Sequence, residues 1–460
     1  MTAWLAQHLA VLMFIALGLG LFCGFPVGFV LGGIGLLFGG IGILLDVFHP
    51  VQFLNYPARV FGAVAANPVL VAIPMFIFMG MVLEKSGITY DLLHCLQVLT
   101  RRIPGGLAMS VTLMGTIMAA TTGIVGASVI MLTLIALPAM LERGYNKELA
   151  VGTIASAGTL GILIPPSIML VVMGDLLQVS VGALFAAAFV PGFVLSALYL
   201  AYVGTISFLK PALAPALPAE IGPKTSGEYA LMIARSFFPP VFLIVLVLGS
   251  IFGGWATPTE AAGVGALGAL LLALVRGQLR WPVMREAVMQ TGLTNAMVFL
   301  LFLGATLFAY VFRALGGDEL VRGLLVSAGL DTGWEIFVFL QALVFFLGFF
   351  FDWIEICLIV LPVFAPILQG LDFSAHVGAG VVFLTWFIIA LSINLQTSFL
   401  TPPFGFALFC MRGTVPPEVT MAHLYRGIVP FVLLQLAGLV LTILFPQLVL
   451  WLPRTTGMLD

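Results

Sequence analysis

Two stretches of this sequence place adjacent prolines and short polar side chains inside long apolar runs. They are Thr159-Leu-Gly-Ile-Leu-Ile-Pro-Pro-Ser167 and Asn394-Leu-Gln-Thr-Ser-Phe-Leu-Thr-Pro-Pro-Phe-Gly405. Proline has no backbone N–H to donate, and its ring clashes with the preceding helical turn, so a helix breaks there. The freed carbonyls and nearby hydroxyls are the oxygen donors that a hard cation such as sodium takes from unwound membrane helices. In hydrocarbon such backbone persists only inside protein or beside a wet cavity. A pair of breaks in corresponding halves of a chain points to the binding site of a transporter.

Around the first break the candidate ligands are Ser156, Gly158, Thr159, Gly161, Pro165, Pro166 and Ser167. A second polar interruption upstream adds Thr121, Thr122, Gly123, Gly126 and Ser128. Around the other break they are Asn394, Gln396, Thr397, Ser398, Thr401, Pro402, Pro403 and Gly405, joined by Gly348 and Asp352 from an earlier interruption. The plain alternative for the small residues is close helix packing. Asp352 has two open readings, a cation ligand or the cap of a helix start, and Glu355 one turn on can face water. No lysine or arginine falls in the apolar core near either break. An anionic substrate there would meet exposed N–H groups of new helix starts, hydroxyls, and Asn394 or Gln396, with bound cations balancing its charge.

The elements that must position these residues are membrane helices. Of 460 residues, 62% are apolar and 8% charged, against about 25% charged in a soluble domain. Coarse crossings fall near 4–22, 26–46, 62–83, 149–173, 182–204, 236–252, 258–275, 289–311, 380–411 and 428–450, each long enough for about 30 Å of hydrocarbon. Regions 105–141 and 334–368 are each twice a short helix with a break halfway. Each is either two full crossings with a tight turn or a re-entrant helical hairpin. If each region enters and leaves on one side, all but four of the 17 basic residues share a face. Only Arg59, Arg313, Arg322 and Arg454 lie opposite. The positive-inside rule puts the larger group in the cytoplasm and both chain ends outside it. The hairpins then open to opposite sides, and the halves are inverted copies. The expected fold is an all-α polytopic membrane protein with inverted-topology repeats, two re-entrant hairpins and two broken helices.

The resulting division is 1–60 as N-terminal scaffold helices, 61–205 as a first repeat, 206–235 as a cytoplasmic linker, 236–288 as scaffold helices, and 289–460 as a second repeat. The proline-rich composition of the linker argues against a further domain. Leu92, Leu93, Leu96 and Leu99 share a helical face in 86–102, which predicts an interfacial helix. Thr259 followed by Glu260 predicts a helix cap, and Glu84-Lys85 an interface pair. The first 22 residues lack a cleavage signature and read as a retained helix. Cys23, Cys95, Cys357 and Cys410 stand singly, so no disulfide framework or zinc site is expected. No HExxH or phosphate-loop motif occurs. With a formal net charge of -2 and no basic run, nucleic acid is a poor partner. No cofactor is expected, and no serine-hydrolase or paired-aspartate pattern supports an intramembrane enzyme.

Pro74-Met-Phe-Ile-Phe-Met-Gly80 with Glu84-Lys-Ser-Gly-Ile88, Gly158 to Ser167, Thr257-Pro-Thr-Glu-Ala-Ala262, and Ser398 to Gly405 occur in order along nearly the whole chain. Together they resemble the large membrane subunit of tripartite ATP-independent periplasmic (TRAP) transporters. The resemblance implies a sodium-driven importer of small organic acid anions in the bacterial inner membrane. It also implies a small four-helix membrane subunit, an extracytoplasmic solute-binding protein and elevator-type motion. It places sodium near the two tips and two breaks named above. Many members carry a Ser-Gly-Ser type first tip, where this chain has Thr122-Gly-Ile-Val-Gly-Ala-Ser128. The alternative is a stand-alone ion-coupled carboxylate transporter that uses no binding protein.

Overall fold

The computed structural model describes residues 2–459 except 123–124, 218–221, 224 and 403–404, with side chains from Trp4 onward apart from 119–122. Two expected ligands, Gly123 and Pro403, therefore lie outside the described residues, and Thr121 and Thr122 are placed by backbone alone. The chain is helical almost throughout. Among the described residues the one strand pairing is a two-residue antiparallel match of Asp372–Phe373 with Gly378–Ala379.

Among the described residues nine helices are long and apolar enough to cross a membrane. A further bent pair, Pro50–Ala65 and Val69–Lys85, turns by 56°. The crossing expected at 62–83 falls across this bend. Asn67-Pro68 sits at the bend, where proline bars continuation of the helix. The crossing placed at 428–450 instead runs Met421–Leu444, and a short helix Gln447–Thr455 follows after Pro446. Between the helix that ends at Leu209 and the one that starts at Ser226 the chain has a single helical turn, Pro211–Leu213, among the described residues.

Each double-length region folds as two consecutive helices, and Val125–Glu142 in the first is itself long and apolar enough to cross a membrane. The first pairs Gly106–Thr122 with Val125–Glu142, and the second pairs Gly333–Leu347 with Trp353–Leu368. The second hairpin's arms have 15 and 16 residues. At 1.5 Å per residue they reach roughly 22–24 Å, short of the ~30 Å core. Both tips end against protein. A Cβ added at Gly126 would meet Cys410 Sγ at 3.2 Å, and one added at Gly348 would lie 1.9 Å from Ser398 Oγ.

The breaks fall where proline predicts. Lys147–Thr159 passes through a short tight turn, Leu160–Ile162, into an irregular stretch, and Ile168–Leu177 then resumes. Val381–Leu400 stops at Thr401, which is extended, and Phe406–Arg412 follows Gly405 at φ +50°. Packing interleaves the halves. The first arm of each pair lies on the helix preceding its own break; Val125–Glu142 also packs there, on Lys147–Thr159, and both second arms reach the helix following the other break. Thus Val125–Glu142 packs on Phe406–Arg412, and Trp353–Leu368 packs on Ile168–Leu177.

A frame of close helix pairs surrounds this centre. Val27–Leu44 packs on Trp281–Ala314 through glycines: a Cβ at Gly304 would sit 2.3 Å from the Gly28 carbonyl oxygen. Helix association in lipid rests on such packing rather than on hydrophobic force. Three local expectations resolve differently from one another. Leu92, Leu93 and Leu96 are buried on Ile88–Thr100, but Leu99 is 45% exposed. The cap of Pro258–Val275 is Thr257, not Thr259: Thr257 and Glu260 exchange hydrogen bonds, while Thr259 Oγ1 donates to the Pro68 carbonyl at 2.9 Å. Lys85 pairs with Glu84 at 3.6 Å and with Glu286 at 2.8 Å, as an interfacial cluster should.

Candidate functional site

The hydroxyls along the two breaks share one arrangement. Each donates to a carbonyl of its own segment: Ser156 to Thr153 at 3.1 Å, Thr159 to Ser156 at 2.9 Å, Thr397 to Ile393 at 2.8 Å, Ser398 to Leu395 at 2.7 Å and Thr401 to Thr397 at 2.8 Å. A hydroxyl has one proton and two lone pairs. With the proton taken up locally, each oxygen can present only lone pairs, which is what a cation needs. Backbone adds more. Among the described residues no hydrogen bond reaches the carbonyls of Leu163, Ile164, Pro165 or Pro166 in the first break, nor those of Thr401 and Pro402 in the second. Pro165 and Pro166 are joined by a cis peptide.

The two breaks meet directly. Gln396 Nε2 donates to Thr159 Oγ1 at 3.3 Å, and both residues are fully buried. Hairpin tips and breaks meet as well. Ser398 lies under the Gly348 turn, and Gly158 packs on Val129 of the first hairpin so closely that a Cβ would be 2.5 Å from Val129 Cγ2. Ser128, Gly158 and Gly161 border one small space of about 10 Å³ between that hairpin and the first break. This is near the lower limit for a single water and is on the scale of one small ion.

Several expected ligands have other duties. Ser167 caps Ile168–Leu177: its hydroxyl donates to the Ile162 carbonyl at 2.5 Å and accepts from Leu170 N. Asn394 Nδ2 donates to the Gln341 carbonyl at 2.6 Å, tying its amide to the second hairpin. Asp352 resolves as a cap, with its Oδ1 accepting from Trp353 N at 2.8 Å and Glu355 reaching back to Asp352 N at 3.3 Å. Its carboxylate thus caps the start of Trp353–Leu368. Gly405 provides the turn after the second break through its left-handed φ.

Sequence reasoning missed two residues. Gln341 is a lone buried amide in the apolar arm Gly333–Leu347, and that isolation was itself a legible signal. Asn67 donates to Asp175 at 2.6 Å, joining the bend in the frame to the helix after the first break. The Asn-Pro pair marked the bend, but nothing in the sequence identified its partner.

The arrangement is an oxygen-rich, carboxylate-poor centre. No cluster of three His, Cys, Asp or Glu side chains suited to a metal occurs among the described residues. Uncharged oxygens at helix breaks suit a hard monovalent cation, and the helix start at Ile168 adds N–H groups that favour an anion.

The family profile described as "Tripartite ATP-independent periplasmic transporter, DctM component" matches residues 11–448. The chain is 30% identical over 391 residues to the C4-dicarboxylate TRAP transporter large permease protein DctM of Pseudomonas aeruginosa, covering 85% of this chain and 87% of that one. It is 30% identical to the ectoine/5-hydroxyectoine TRAP transporter large permease protein UehC of Ruegeria pomeroyi, over 83% of this chain and 85% of that one. It is 27% identical to the sialic acid TRAP transporter large permease protein SiaM of Vibrio cholerae, over 94% and 96%. Among solved structures, the Alcanivorax borkumensis YdaH transporter aligns over 98% of this chain and 99% of its own, with TM-score 0.61 and 16% identity. That last likeness shows the fold alone. On its sequence, the chain belongs to the DctM family, the large permease subunits of tripartite ATP-independent periplasmic transporters.

Proposed function

We propose that this chain is the sodium-driven permease for a small organic acid anion, fed by an extracytoplasmic binding protein and braced by a small membrane subunit. As a DctM-family subunit it is a multi-pass protein of the bacterial inner membrane, and a transport component rather than an enzyme. The observation that carries the proposal is the direct bond between the two breaks, Gln396 to Thr159, within a ring of proton-committed hydroxyls and open carbonyls. Such a centre has lone pairs for sodium and N–H groups for a carboxylate, and no fixed countercharge. Cation and anion would therefore enter together, each stabilising the other. The relatives' names span dicarboxylates, ectoines and sialic acid. The oxygen- and amide-based centre favours a mono- or dicarboxylate here.

The interleaved packing supports an inverted repeat. In this reading the hairpins and broken helices form a transport unit that slides against the outer frame. An almost wholly apolar gap of about 610 Å³ separates the second hairpin from Thr2–Leu21 and Gly317–Ser327. Sliding would have to break the bonds that tie this unit to the frame, Arg313 to the Pro362 carbonyl and Asn67 to Asp175. The inverted topology is testable directly. Tags at Ala216 in the linker and at the C-terminus should report opposite sides, with Ala216 cytoplasmic. Finding both on one side would reject the inverted arrangement.

The functional test is uptake into proteoliposomes holding this chain and its small partner, with binding protein and a panel of organic acids. Uptake should require an inward sodium gradient and binding protein. Full uptake in sodium-free buffer under a proton gradient would overturn sodium coupling. Full uptake without binding protein would favour the stand-alone carboxylate transporter.

A further inference from the structure

The bond between the breaks joins equivalent positions of the two halves. Thr159 and Gln396 are 237 residues apart. Pro165 and Pro402, the first prolines of the two breaks, have the same separation. In an inverted repeat, equivalent residues touch only where they meet the axis relating the halves. On the inverted-repeat reading this contact marks that axis.

The hydrogen-bond polarity at this point is fixed. The only proton of the Thr159 hydroxyl goes to the Ser156 carbonyl, so the hydroxyl can only accept from Gln396. The Gln396 amide must therefore present Nε2 to Thr159 and point Oε1 the other way. That oxygen is buried and, among the described residues, has no hydrogen-bond partner. The asymmetry matters. The first half contributes a hydroxyl whose orientation is set by its own helix end, and the second contributes an amide with one arm engaged and one bare.

We propose that Gln396 couples ion binding at the two breaks: its bare carbonyl oxygen takes a sodium ion on the second-break side, and its N–H transmits that occupancy to Thr159 on the first. A cation at Oε1 draws electron density from the amide and strengthens its N–H as a donor. The stronger bond fixes Thr159, and through Ser156 it fixes the last turn before the first break. The second ion then meets a segment already ordered, which is positive cooperativity. Gln396 is thus a positioning residue for the first break. The inference rests on the sodium-coupled reading above, and the test separates the two.

The test is the sodium dependence of uptake in the complete system, with sodium varied at saturating substrate. The parent protein should show a Hill coefficient above one. Thr159→Val keeps the side-chain volume but removes the acceptor. It should bring the Hill coefficient to about one and raise half-saturating sodium several-fold. Thr159→Ser restores the hydroxyl and should restore the parent coefficient. Gln396→Met should match Thr159→Val in its Hill coefficient and raise half-saturating sodium further, because it also loses the ligand oxygen. A packing defect alone would lower the maximal rate and leave the coefficient unchanged. A Thr159→Val protein with the parent coefficient would overturn the coupling, as would a parent with a hyperbolic sodium response. A parent indifferent to sodium would instead reject the sodium-coupled function itself. If Gln396→Met does not insert, the two Thr159 variants decide the matter alone.

Discussion

Gly348→Ala should cut uptake by roughly one to two orders of magnitude while the protein still inserts. The added Cβ would lie 1.9 Å from Ser398 Oγ and 2.7 Å from Ser398 Cβ. Rotating the serine hydroxyl away relieves the first contact and leaves the second. The cap at the start of Trp353–Leu368 holds the turn in place, so hairpin and broken helix must separate. Overpacking of this kind costs about 1–3 kcal/mol, and a factor of ten corresponds to ~1.4 kcal/mol. Ser398→Gly in the same chain removes both clashing atoms and should recover a large part of the activity. Recovery absent from the double variant, with both proteins folded, would show that the tip acts through something other than its distance from Ser398.

Gly427→Ala should be comparably damaging, and it should act on stability as well as transport. A Cβ there would sit 2.2 Å from the Glu148 carbonyl oxygen, and one at Gly152 would sit 2.1 Å from the Gly427 carbonyl oxygen. Both obstacles are backbone, which cannot rotate aside. The helices Lys147–Thr159 and Met421–Leu444 would have to move apart, again at about 1–3 kcal/mol. That displacement shifts Thr159 relative to Gln396, so uptake should fall along with the melting temperature of the purified protein. Gly33→Ala makes a fair control, because a Cβ there meets nothing within 4 Å. Equal melting temperatures for the Gly427 variant and this control would refute the close-contact account.

The sequence disclosed the breaks because proline acts on backbone locally, whatever its neighbours. Pro165-Pro166 and Pro402 ended helices within a few residues of where they stand. The hairpins were legible for a related reason: Gly348 and Asp352 interrupt an otherwise apolar run, and an acidic residue followed three positions on by Glu355 is a capping box. What stayed hidden depends on partners distant in sequence. Nothing local distinguishes Asn394, which holds the Gln341 carbonyl, from Gln396, which holds Thr159. Leu99 lies on the same face as the buried Leu92 and Leu96, but it stands in the last turn of Ile88–Thr100 and is exposed there. The cap at Thr257 was missed for a simpler reason. Thr-Pro-Thr-Glu offers two threonines, and only the first stands three residues before Glu260.

Interleaving also sets a timetable for synthesis. The tip of the first hairpin, at Gly126, finds its neighbours in Phe406 and Cys410, which the ribosome reaches some 280 residues later. At about 5–20 residues per second the tip waits roughly 15–60 s in the membrane before its permanent contacts exist. The first half must therefore be held in a provisional state during that interval, shielded by lipid or by the insertion machinery. A chain severed in the linker would complete its centre only when both pieces are made together.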